Sequence, residues 1–88
     1  MLKKYYHKQL SEHIPLAYPL AFCSKGQEVM IATINGCPKA KIRLESMGLI
    51  PGEKIMVING RNNGPFIVKI KNSQLALGRG VLHKIMVR

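Results

Sequence analysis

The stretch Arg43-Leu44-Glu45-Ser46-Met47-Gly48-Leu49-Ile50-Pro51-Gly52 constrains this chain more than any other, because one short run holds a helix ending, a turn and a strand entry. Gly48 stands where a helix stop needs a residue that tolerates the left-handed backbone conformation. Pro51 then blocks resumption of the helix, and Gly52 completes a turn. The hydrophobic pattern changes across this corner. Upstream, Pro38 fits the first position of a helix, where its missing N–H costs nothing. Ala40, Leu44 and Met47 follow at helical spacing on one face, and Lys39, Lys41 and Arg43 lie largely away from it. Downstream, the apolar residues alternate.

The strand readings follow from that change of period. Val29 to Ile34 is a β-branched run ended by Asn35-Gly36, and Lys54 to Ile58 is a second strand. Phe66, Val68 and Ile70 share one face by period two, with Ile67 and Lys69 on the other. A tight turn at Lys71-Asn72-Ser73 leads into Gln74 to Leu77, Gly78-Arg79-Gly80 bends the chain, and Lys84 to Val87 closes it. The earlier cluster Pro19 to Cys23 reads as a helical turn or irregular strand that packs Leu20 and Phe22 inward. About five strands, with one short α-helix between the first two, predict a mainly β fold, a small and partly open barrel over residues 19–88. Residues 1–18 read as a basic N-terminal extension. With no Trp and two Phe among 88 residues, the core has to be aliphatic.

Catalysis finds no constellation here. Glu12, Glu28, Glu45 and Glu53 show no pairing pattern, no P-loop is present, and Gly78-x-Gly80 is only a two-glycine bend, so the chain reads as a non-enzyme. Candidate ligands for a transition metal, iron or zinc, are isolated: Cys23, Cys37 and His83, with His7 and His13 in the extension. None forms the close pairs of structural zinc sites, although a site shared between two copies of a homo-oligomer stays open. No apolar run spans a bilayer, and Tyr5-Tyr6-His7-Lys8-Gln9 interrupts any signal-peptide core, so a cytoplasmic location is expected.

A net charge of +10 favours acidic partners, whether protein, membrane or nucleic acid. Nucleic-acid stacking needs aromatics displayed on a sheet face. Tyr5, Tyr6 and Tyr18 lie outside the barrel strands, and Phe22 and Phe66 alternate into the expected core, which argues against that partner.

From Pro19 to Arg88 the chain resembles the FeoA family of bacterial ferrous-iron uptake. The resemblance rests on Pro19-Leu20 with Lys25-Gly26, the Ile34-Asn35-Gly36 turn, and Arg43-Leu44 with Met47-Gly48-Leu49 and Pro51-Gly52. Gly64-Pro65, Leu75-Ala76-Leu77 and Ile85-Met86-Val87 complete it. It implies an SH3-like barrel and a regulatory, cytoplasmic accessory protein that docks on FeoB, a membrane permease with a GTP-hydrolysing domain. The same domain is similar to the C-terminal domain of iron-dependent repressors of the diphtheria toxin repressor type. Gly48, Pro51 and Gly52 then serve as structural positions. The candidate docking surface is Lys39, Lys41 and Arg43 with the loop residues Arg61, Asn62 and Asn63. Gly78-Arg79-Gly80 is read as a departure, standing where such proteins carry a short helical turn. The alternative function is a nucleic-acid-binding SH3-like module of the ribosomal or translation type.

Overall fold

A computed structural model describes residues 16–60 and 64–88. Most of the N-terminal extension, with Tyr5, Tyr6, His7 and His13, lies outside the described residues, and so do Arg61, Asn62 and Asn63.

Among the described residues six strands form one antiparallel sheet: β1 (Tyr18–Pro19), β2 (Glu28–Ile34), β3 (Lys54–Asn59), β4 (Phe66–Ile70), β5 (Ser73–Leu77) and β6 (Ile85–Val87). Their order is β1-β6-β2-β3-β4-β5. Helix α1 (Pro38–Ser46) connects β2 to β3, and a single turn, α2 (Arg79–Leu82), connects β5 to β6. A 3-10 turn covers Leu20–Phe22.

Strand β2 is the element that coils the sheet into a small open barrel. Its first half pairs with β3 through Glu28 to Met30, and its second half pairs with β6 through Ile31 to Ile34. A register shift between Ile31 and Thr33 lies at this division. It changes the parity of burial, so that Val29, Ile31 and Ile34 all point inward, where strict alternation would have buried Thr33. Elsewhere the alternation holds. Ile55 and Val57 of β3, Phe66, Val68 and Ile70 of β4, and Ile85 and Val87 of β6 enter the core with Leu20 and Leu49. Each such side chain, once fully buried, contributes about 1.5–3 kcal/mol of hydrophobic free energy. No polar or charged residue is buried among the described residues.

The corner after α1 is a Schellman motif. The N–H of Gly48 donates to the Glu45 carbonyl at 3.0 Å, and the N–H of Leu49 donates to the Leu44 carbonyl at 3.2 Å. Gly48 has φ +96, which the motif requires and other residues resist. Leu44 and Leu49, the two side chains this motif brings together, are both buried. Pro51-Gly52 then turns the chain so that the Gly52 N–H reaches the Ile31 carbonyl at 2.7 Å, which fixes the corner to β2.

Three local expectations are corrected. Phe22 does not pack inward but is 59% exposed, because the 3-10 turn rotates it away from Leu20 and Ala21, which are buried instead. Met47 is 40% exposed, since the helix has ended before it and its backbone no longer follows the helical face. Arg79-Gly80 are not a plain bend: with Val81 and Leu82 they form α2, anchored by buried Leu82, so the helical turn is present. Two glycines so close together concealed it from a propensity reading.

Candidate functional site

Helix α1 buries one of its nine residues, Leu44. Lys39, Ile42 and Arg43 lie at spacings of three and four on one stripe and are exposed, and Ile42 is 68% exposed. An isoleucine left in water beside two cations marks the wall of a groove. The groove, ≈ 680 Å³, is bounded on the helix side by Lys39, Ile42, Arg43 and Met47. Ala76, Leu77 and Gly78 form the opposite side, and Val81 and Lys84 close one end. Its floor and walls are largely apolar, its charged lining residues are Lys39, Arg43 and Lys84, and no carboxylate lines it.

The neighbouring turns fix how α1 lies. At its start, the Asn35 N–H donates to the Lys84 carbonyl at 2.7 Å, next to the end of α2. At its finish, Gly48 lies beside Ile70, which pairs with Ser73 at the beginning of β5. The groove lies between α1 and the Ala76-Leu77 end of β5, and among the described residues β5 ladders only to β4.

Of the residues expected to dock a partner, Lys39 and Arg43 line this groove together. Lys41 is exposed but lines another side of the helix. Lys84, Ile42, Met47 and Ala76 are not among the docking candidates that the sequence offers. For Ile42, exposure of an apolar residue within a helix is the signal, and it requires knowledge of what the helix packs against.

A second concavity, ≈ 590 Å³, lies on the outer face of β2, β3 and β4. Lys54, Lys69 and Lys71 share it with Glu28, Glu53 and Met56, and Lys71 Nζ is 3.6 Å from Glu53 Oε2. Both signs of charge meet there and no aromatic residue lines it, so it offers no stacking platform.

The candidate metal ligands are dispersed. Among the described residues no group of three or more His, Cys, Asp or Glu side chains is arranged to hold a metal ion. Both cysteines are free. Cys23 is buried, and burial pushes its thiol up from the ordinary value, with the Tyr18 hydroxyl adjacent; that hydroxyl also accepts a hydrogen bond from Gln27 Nε2 at 3.0 Å. Cys37 is exposed at the start of α1. The backbone N–H of Ala40, then that of Lys39, and the nearby Lys84 ammonium hold its thiol below the ordinary value, without a closed side-chain cap hydrogen bond. His83 is exposed at the end of α2. No helix among the described residues is long and apolar enough to cross a membrane.

The FeoA domain model matches residues 18–88. A protein of Methanocaldococcus jannaschii described as putative Fe(2+) transport protein A is 47% identical over 70 residues, covering 80% of this chain and 84% of that protein. The crystal structure of an iron uptake regulatory protein (FeoA) superposes with a TM-score of 0.75 at 33% identity, covering 83% of this chain and 97% of that one. A manganese-dependent transcriptional repressor gives a TM-score of 0.75 at 25% identity, covering 85% of this chain but 42% of the repressor. This chain is thus similar to whole proteins of the first kind and to one portion of the second.

Proposed function

This chain belongs to the FeoA domain family, and from that membership we propose that it is a cytoplasmic accessory and regulatory protein of ferrous-iron uptake. In this reading it docks on a FeoB-type membrane permease and its GTP-hydrolysing domain. The observation that carries the reading is the groove beside α1, an apolar trough with Lys39, Arg43 and Lys84 around it and no carboxylate in its lining. Such a surface has the composition of a docking site for an acidic protein segment: apolar side chains leave water in the trough while the surrounding cations select the charge. The protein's contribution is recognition, and the permease supplies the chemistry.

The test is co-purification with the permease, using both its cytoplasmic domain and the detergent-solubilised full-length protein. Association that is weakened by Lys39→Glu and Arg43→Glu is expected, whereas no association with either form sinks the reading. Titration with RNA at two salt concentrations serves as the control for the nucleic-acid alternative, for which tight binding with a steep salt slope is the signature.

A further inference from the structure

Among the described residues strand β5 is an edge of the sheet, and its end at Ala76 and Leu77 lines the groove. Its register with β4 pairs Ile70 with Ser73, Lys69 with Gln74, Val68 with Leu75, Ile67 with Ala76 and Phe66 with Leu77. Two residues, Lys71 and Asn72, separate the strands, so Ile70 and Ser73 form the closing hydrogen-bonded pair. In an antiparallel ladder hydrogen-bonded and non-hydrogen-bonded pairs then alternate. Gln74 and Ala76 fall in the non-hydrogen-bonded pairs, and their N–H and C=O groups therefore point away from β4, towards the open edge. Natural proteins usually blunt such an edge with a charge, a proline or a covering element. Here β5 reads Ser73-Gln74-Leu75-Ala76-Leu77, with no charge and no proline, and among the described residues α1 stands across the groove from its Ala76-Leu77 end with Ile42 exposed on it.

We infer that the groove takes an extended, acidic segment of a partner protein as an added strand on β5. The segment's backbone bonds to Gln74 and Ala76. Its inward apolar side chains fill the trough against Ile42, Met47 and Val81, and its carboxylates meet Lys39, Arg43 and Lys84. Strand addition supplies affinity through main-chain bonds and specificity through alternate side chains, and the absence of carboxylates in the groove selects an acidic sequence over a basic one. This inference rests on the docking reading for the existence of a partner, and it specifies how that partner is held.

The experiment titrates the full chain against synthetic peptides alternating glutamate with valine or leucine, with lysine-for-glutamate peptides as the counterpart series. Expected are binding of the acidic series alone, a loss of about tenfold with Arg43→Glu, no change with Lys54→Glu, and slowed amide exchange at Gln74 and Ala76. Ala76→Pro removes one outward N–H without taking a bond from the β4 ladder, and it is expected to abolish binding. If that variant unfolds, amide exchange in the unsubstituted protein carries the same test. No binding by the acidic series, equal binding by the lysine series, or binding that leaves those two amides exchanging at the free rate overturns the inference. A permease that co-purifies while the peptides leave β5 unaffected upholds docking and refutes strand addition. Peptide binding at β5 without permease association does the reverse.

Discussion

At the scale of single residues, Gly48 shows how one backbone angle organises a corner. A Cβ built there would lie 4.0 Å from Ile70 Cγ2, an ordinary contact, so the site has room for a side chain and the constraint is φ +96 alone. Substitutions should therefore rank by their tolerance of the left-handed region rather than by size. Gly48→Asn is expected to cost least. Gly48→Val, β-branched at positive φ, should cost upwards of about 1–2 kcal/mol in urea unfolding; equal losses for the two would show that volume matters after all. The cysteines differ in a way that pH exposes. Because burial raises the Cys23 thiol, the unfolded chain gives up that proton at a lower pH than the folded chain does. The associated stability is complete below the ordinary thiol value of about 8.5 and declines as pH rises through the folded value. Unfolding curves measured across that range in a Cys37→Ser background should show the decline, and adding Cys23→Ala should flatten it. Cys37 shifts the other way: iodoacetamide should modify it at lower pH than a free thiol, while Cys23 reacts only on unfolding.

At the scale of elements, α1 is held by its ends and by one side chain. Leu44 is its single buried residue, and Leu44→Ala should cost about 2–5 kcal/mol by thermal or chemical denaturation. Ile42→Gln, on the exposed groove wall, should leave stability within about 0.5 kcal/mol. A large loss at Ile42 would mean that the helix packs on that side too. The same helix marks where sequence reading succeeds and where it stops. Its start at Pro38, its stop at Gly48 and the inward alternation of Phe66, Val68 and Ile70 were legible because local backbone chemistry and period decide them. The family corner was legible for the same reason. Phe22 and Met47 were misread because each sits at an irregular junction, where the backbone departs from the period that would assign a face. Thr33 lies outside and Ile34 inside because a bulge, invisible to pattern, shifts the count. The groove was half legible. Lys39 and Arg43 stand out as charge, but their joining with Lys84 and Ala76 depends on α1 lying beside an edge strand, which is a tertiary fact.

At the scale of the whole molecule, the proposed docking assigns the +10 charge and the groove to different steps of association. Long-range attraction to an acidic partner speeds encounter and is screened over a Debye length of about 10 Å at 0.1 M salt, whereas the apolar trough and any main-chain bonds act after contact. The two contributions separate kinetically. With the permease's cytoplasmic domain immobilised, raising salt from about 50 to about 500 mM should lower the association rate by one to two orders of magnitude and change dissociation far less. Ile42→Gln should do the opposite, speeding dissociation with little effect on association, because it alters a contact made only in the docked state. Lys39→Glu with Arg43→Glu should flatten the salt dependence while leaving the unfolding midpoint nearly unchanged, since both side chains are exposed. If salt instead acts mainly on dissociation, the cations form close ion pairs in the bound state and the groove is secondary. If neither rate responds to salt or to the groove substitutions, the partner contacts a different face, and the charge distributed over α1 and the outer sheet serves solubility alone.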